Sequence, residues 1–410
     1  MHIRLLALGT RGDVQPYLAL ALGLKEAGYN VSMAITSDFK AFVESYDIPA
    51  LTSQVNIREF MTQSANTNTS HKPSRMDVFR QVLQDAPSLI NDADFLIYSP
   101  ASAMAAPHLI EKYNIPSMLG LLQPYLHPTQ DFPVIGLPRL PFGGRYNQWT
   151  YRAFQSLLWL PMKKTINEWR VNTLGLPPTQ SNVMTELVNK NIPALFGWSP
   201  TILPKPHDWE SHLYLTGYWF LDTEGNYQPS QALLDFIHDG SLPVYVGFGS
   251  MSNKNAEEDA EIIIAALRQA GVRGVIASGW KGLITEDIGD DLLLIKDVPH
   301  EWLFPQMAAV IHHGGAGTTA TDLKSGIPSI IVPTRGDQPF WAHRVEALGV
   351  GLFPCTRKQL NPDALANAIK QAINDSEMQE RAKQLGEQIS HEDGVGTAIK
   401  IIENYIESLI

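Results

Sequence analysis

Residues 312–341 read HHGGAGTTATDLKSGIPSIIVPTRGDQPFW and carry the side-chain types needed to hold a phosphorylated sugar. An apolar run, 308–311, ends at two histidines and two glycines, and the glycines free the backbone for a tight turn. The spacing then predicts a helix over 318–324. Amide N–H groups at a helix start lack intrahelical acceptors and the helix dipole is positive there, so that end favours a phosphate. His313 adds a ring donor and Thr318 a hydroxyl. Past a second apolar run, 329–332, Asp337 and Gln338 fall in a loop; a carboxylate beside an amide suits sugar hydroxyls, which both donate and accept hydrogen bonds. A glycine-rich turn alone reads equally well as an ordinary strand, turn and capped helix. The whole ordered block is what points to chemistry.

A second constellation, Gly9-Thr10-Arg11-Gly12-Asp13-Val14-Gln15-Pro16, sits where the first strand ends and the first helix begins. Capping is the ordinary role of an Asp13 so placed. The C-terminal end of a first parallel strand is also where open α/β sheets bind ligands, so a functional reading stands beside it.

The elements that must carry these turns alternate as strand and helix. Apolar runs at 3–8, 31–35, 95–98 and 117–121 read as strands, with an amphipathic helix over 17–27 between the first two. The pattern restarts at 244–248, 274–277, 292–295, 310–311 and 329–332. Two consecutive doubly wound parallel sheets are expected. Pro200, Pro204, Pro206 and Pro229 break the periodicity between them, which places a boundary near residue 220. The expected division is an acceptor-side domain over 1–220, a donor-side domain over 221–395, and a helix over 396–410 returning to the first. A cleft between two such domains is the natural ligand site.

Composition narrows the partners. The chain has 410 residues with 31 basic and 42 acidic side chains, net −11, and no long basic run, which argues against nucleic acid. One cysteine, Cys355, excludes an internal disulfide and fits a reducing cytoplasm. No His or Cys cluster has metal-ligand spacing, so no metal is expected. The opening run 2–8 is too short for a signal or membrane-spanning segment, and a soluble, cytoplasmic chain is the expectation. The segment 137–169 mixes Phe142, Tyr146, Trp149, Tyr151, Phe154 and Trp159 with Arg145, Arg152, Lys163 and Lys164. It reads either as a buried amphipathic helix or as a lipophilic wall that touches a membrane surface. The polar stretch 53–73 reads as a loop able to cover a cleft.

At this point the motifs together resemble the GT-B-fold, UDP-sugar-dependent glycosyltransferases, over nearly the whole chain. The subgroup they are most similar to is the sterol 3-β-glucosyltransferases, with the glycopeptide-antibiotic enzymes beside it. The resemblance is carried by the Gly9 to Pro16 turn, Gly247-Phe248-Gly249-Ser250-Met251, Val298-Pro299-His300-Glu301-Trp302-Leu303-Phe304-Pro305, His312-His313-Gly314-Gly315-Ala316-Gly317-Thr318-Thr319 and Gly336-Asp337-Gln338-Pro339-Phe340-Trp341.

That likeness implies two Rossmann-like domains and an inverting, metal-independent transfer of a hexose, glucose from UDP-glucose, to a hydroxyl of a lipophilic alcohol such as a sterol or terpenoid. It implies Asp13 as catalytic base, where the plant branch has a histidine. His313, the amides of Gly315, Ala316, Gly317 and Thr318, and Ser250 would hold the diphosphate. Asp337 and Gln338 match the sugar-reading pair. Trp280 and the backbone near Val298 are candidates beside the uracil, Trp280 being equally readable as a packing residue. Many plant relatives carry a ribose-binding glutamate where this chain has Thr321, with Asp322 next to it. The UDP-sugar is a co-substrate and no cofactor is implied. Larger sterol glucosyltransferases carry membrane-targeting domains that this chain lacks, so at most transient membrane contact is expected. A flavonoid, polyketide or glycopeptide acceptor, a GT-B-fold nucleotide-sugar epimerase, and a silent nucleotide-sugar-binding subunit are the competing readings.

Overall fold

Short runs rich in Val, Ile and Leu form strands buried on both faces, as parallel sheets wrapped by helices require. The computed structural model describes residues 1–56, 74–222, 227–248, 256–277, 288–296 and 298–409. They divide into two compact units, one of Met1–Leu221 with Asp393–Ile410 and one of Asp222–Glu392. Ser250, Trp280 and most of the stretch 53–73 lie outside the described residues.

The first unit contains β1 (His2–Ala7), β2 (Asn30–Thr36), β3 (Ala50–Ser53), β4 (Phe95–Tyr98), β5 (Ser117–Leu121), β6 (Ala194–Phe196) and β7 (Leu213–Leu215). They form one parallel sheet in the order β3-β2-β1-β4-β5-β6-β7. The second contains β8 (Val244–Gly247), β9 (Gly274–Ala277), β10 (Leu292–Ile295), β11 (Ala309–His312), β12 (Ser329–Ile331) and β13 (Gly351–Leu352). Its parallel sheet runs β10-β9-β8-β11-β12-β13. Strand order reverses between β1 and β4 in the first sheet and between β8 and β11 in the second. Such reversal points open a crevice beyond the strand ends, where ligands bind.

The last helix, Gly394–Glu407, belongs to the first unit. Its Ala398, Ile402 and Ile406 join the core that holds Leu20 and Leu24 of the helix Arg11–Glu26. Gly23 permits this approach, since a Cβ there would lie 2.6 Å from Val395 Cγ1.

Buried histidines make this unit pH-sensitive, and His127 is shifted further than His108. His127 packs against Phe196 and Trp209, with ring centroids 5.5 and 6.2 Å away, and neither ring nitrogen has a hydrogen-bond partner among the described residues. Burial, with a smaller contribution from His212, lowers its pKa to about 3. The unfolded chain, with a histidine pKa of about 6.5, therefore binds more protons than the folded one between that value and about 3. Stability rises with pH through this window and is lost as pH falls. His127→Phe is expected to flatten the decline of the melting temperature between pH 6.5 and 5, roughly the range where unfolded histidine titrates. An undiminished slope in thermal melts would exclude His127 as the cause.

Candidate functional site

The first turn is built at the end of β1. Gly9 has φ +148°, and a Cβ on it would fall 2.4 Å from Asp13 Oδ2. Thr10 is the N-cap of the helix Arg11–Glu26 and Asp13 its third residue. Asp13 Oδ2 accepts from the Thr10 N–H at 2.8 Å and from Thr10 Oγ1 at 2.9 Å. Both bonds use one oxygen, and Oδ1 makes no hydrogen bond among the described residues. Burial raises the carboxyl pKa above its ordinary value, with the two Thr10 bonds opposing. One turn on, buried Tyr17 donates to Gly120 O in β5 at 2.8 Å, tying this helix to the sheet. The capping role is thus present, and it leaves half of the carboxylate available at the point where strand order reverses. Gly9→Ala adds a clash with this carboxylate and a strained φ, so a loss of about 1 to 3 kcal/mol is expected in denaturant titrations; an unchanged midpoint would show that the turn yields freely.

The second turn follows β11 in the other unit. His312 is fully buried, and its Nδ1 accepts the Gly314 N–H at 3.0 Å. That bond leaves Nε2 as the protonated nitrogen, donating to Asp322 Oδ2 at 3.0 Å. Ser329 Oγ donates to the same oxygen. The fixed ring orients the turn, in which Gly314 has φ +85° and no room for a Cβ, which would sit 2.6 Å from Ile331 Cγ2 and 3.2 Å from Gln338 O.

The helix Ala316–Ser325 then starts at Gly315, an N-cap without a side-chain bond. The N–H groups of Ala316, Gly317 and Thr318 have no intrahelical acceptor. Gly317 is exposed, with nothing within 4 Å of the position its Cβ would take. The His313 ring leans over the turn, its Nε2 2.7 Å from where a Gly315 Cβ would be. Burial lowers the His313 pKa to about 4, with His312 and Arg357 adding to the shift. The Gly247 backbone pulls the other way, although His313 Nδ1 makes no hydrogen bond of good geometry among the described residues. The imidazole is therefore neutral at neutral pH, a donor of one N–H without a charge of its own.

Asp337 and Gln338 do not lie in a loop: Asp337 is the N-cap and Gln338 the first residue of the helix Gln338–Leu348. Pro339, early in the first turn, favours that start because it gives up an N–H that would have no partner. Asp337 Oδ2 accepts from Trp341 Nε1 at 3.0 Å. Gln338 is buried, and its Oε1 accepts the N–H groups of Thr334 and Arg335 at 2.8 and 3.1 Å. This fixes the amide with its Nε2 as the remaining donor. The second unit thus brings together His313, the 314–318 turn and Gln338. Val298 stands apart from their bonds, half-buried against the cluster of Tyr245, Leu303 and Phe304.

Three features were not foreseen from sequence. Asp322, next to the expected ribose position, points inward and braces His312. Arg357 lies over the Phe248 ring at 5.0 Å and pairs with Asp259, Nη2 to Oδ2 at 2.6 Å, across 98 residues of chain. In the first unit, Asp131, His207 and Asp208 place ligand-type atoms within 4.8 Å of one another. Those atoms already hold loop backbone, the Gln130 N–H on Asp208 and the His207 N–H on Asp131.

Two family descriptions match the chain. Residues 3–118 match the glycosyltransferase family 28 N-terminal domain, and residues 252–393 match the erythromycin biosynthesis protein CIII-like C-terminal domain. Among curated proteins, the sterol 3-beta-glucosyltransferase of Saccharomyces cerevisiae is 37% identical over 98% of this chain and 35% of its own length. That of Komagataella phaffii is 36% identical over 98% of this chain and 34% of its own. The chain therefore spans about a third of the length of these relatives. Among solved structures, the glycotransferase of kitacinnamycin aligns with TM-score 0.71 and 19% identity, covering 98% of both chains. The calicheamicin glycosyltransferase CalG4 aligns with TM-score 0.69 and 16% identity, covering 99% of this chain and 98% of its own. At such identities the likeness speaks for the fold of two parallel-sheet, Rossmann-like units.

Proposed function

The chain belongs to the GT-B-fold glycosyltransferases, and from that premise we propose that it moves glucose from UDP-glucose to the hydroxyl of a lipophilic alcohol, a sterol or terpenoid, giving a β-glycoside. The observation that carries this reading is the second turn: unpaired N–H groups at a helix start, under a neutral imidazole, at a sheet reversal point. Fixed amide dipoles aimed at a diphosphate stabilise the charge that builds on it as the anomeric bond breaks. They need no reorganisation during the step. Asp13, with Oδ1 uncommitted and a raised pKa, suits removal of the acceptor proton as attack proceeds. A single displacement of this kind inverts an α-linked donor. Gln338 and Asp337 would read the hexose hydroxyls, and the sterol enzymes among the relatives favour a sterol as acceptor.

The reading is tested by a UDP-release assay that crosses several UDP-sugars and dTDP-glucose with sterols, flavonoids and terpenoid alcohols, with the product anomer assigned by NMR. A β-glycoside of a sterol or terpenoid from UDP-glucose is the expected result. A new UDP-sugar formed without acceptor would replace transfer by epimerisation. Binding of UDP-glucose with no UDP released to any acceptor would leave a donor-binding protein only.

A further inference from the structure

Between Asp131 and Glu168 the chain has no acidic residue and five basic ones, although its net charge is −11. Most of that tract is the helix Gly143–Trp169, which buries Tyr151, Trp159, Ile166 and Trp169 on one side. On the other side Arg145, Trp149, Arg152 and Leu160 follow one another at offsets of four, three and eight residues, the spacing of a single helical face. Trp149 is 61% exposed, and Leu157 and Leu160 are each 70% exposed. Phe142, one residue before the helix, is 69% exposed. Large apolar side chains gathered on one exposed face mark a contact surface. Arg145 and Arg152 carry no ion pair among the described residues, so their charge is available to a partner.

We propose that this face docks reversibly on a lipid bilayer bearing anionic headgroups. Charge selects the partner, because a chain of net charge −11 has its longest acid-free tract here, with five basic side chains in it. The mixture selects a bilayer: isolated Trp and Leu tips beside arginines, spread from Arg145 to Leu160 over about 22 Å of helix at about 1.5 Å per residue, match the headgroup and acyl boundary. Among the described residues no helix is long and apolar enough to cross a membrane, so the contact is along the surface. It goes beyond the transfer reaction and is read without turnover.

The test is flotation of the intact chain with vesicles of phosphatidylcholine alone and of phosphatidylcholine with phosphatidylserine at two to one. Binding to the mixed vesicles is expected, weakened by salt, with little binding to the neutral ones. Arg145→Ala combined with Arg152→Ala should weaken partitioning about 30-fold, each cation near an anionic surface contributing about a factor of five. Brominated acyl chains should quench part of the tryptophan emission of the unaltered chain, and Trp149→Phe should lose that part. Melting curves check that the variants, all on exposed positions, remain folded. Recovery in the vesicle-free fraction, equal binding to both vesicle types, or unchanged quenching in Trp149→Phe would overturn the proposal. So would a dimer that Trp149→Ser dissociates, since the face would then belong to a second copy.

Discussion

Asp13→Asn is expected to lower kcat about 100- to 10,000-fold, the usual worth of a positioned general base, while UDP binds as before. Asparagine keeps an acceptor for the Thr10 N–H and Oγ1, so the turn survives the change and only the ability to take a proton is lost. Stability adds a second signature. A carboxyl whose folded pKa is raised opposes folding once the pH passes its ordinary value, because the charged form is the costlier one to hold in the turn. A neutral amide at this position removes that cost, so the variant should melt at the same temperature as the parent or higher. The acid limb of kcat/KM should lie above the ordinary carboxylate range and vanish in Asp13→Asn. His313→Ala separates the other half of the reaction: UDP should bind about 10- to 100-fold more weakly, as expected for losing a hydrogen bond to a charged group. Full turnover by Asp13→Asn would reduce this aspartate to a helix cap and leave the donor site standing.

How far the chain could be read depended on the separation over which each feature is specified. The strands β1, β4 and β11 were legible because a strand buried on both faces must be a continuous apolar run. The strands β3, β6, β7 and β13, of two to four residues, were not. β3 is half polar, β13 has only two residues, and β7 hides among the prolines that also mark the boundary between the units. The glycine turns declared themselves because Gly9 and Gly314 occupy backbone conformations and spaces that a side chain would not share. Asp337 and Gln338 were recognised as a polar pair but assigned to a loop; their placement at a helix start depends on bonds to Trp341 and to the Thr334 and Arg335 amides that spacing alone does not reveal. Asp259 and Arg357 are 98 residues apart, and only the fold makes them neighbours.

Asp322, which the sequence marks only as the neighbour of Thr321, holds the glycine turn after β11 in place. Its carboxylate is completely buried, and burial raises its pKa, while bonds from His312 and Ser329 act against that shift. Asp322→Ala leaves the His312 Nε2–H and the Ser329 hydroxyl buried without an acceptor, at a cost of about 3 kcal/mol. For a unit of this size that corresponds to a fall of about 6 to 12 °C in its melting temperature. Function should suffer with it, because Asp322 is what keeps the His312 proton on Nε2. Once His312 can carry it on Nδ1, the Gly314 N–H loses its acceptor and the unpaired amides beyond it lose their fixed direction. UDP affinity is therefore expected to fall in Asp322→Ala although this side chain has no exposed atom to offer the nucleotide. Asp322→Asn separates shape from charge: its carbonyl oxygen can still receive both donors, so most of the stability and of the UDP affinity should return. If calorimetry and UDP titration find Asn as damaging as Ala, the turn depends on the negative charge itself; if UDP binds Asp322→Ala undiminished, the turn is held by Gly314 and Gln338 alone.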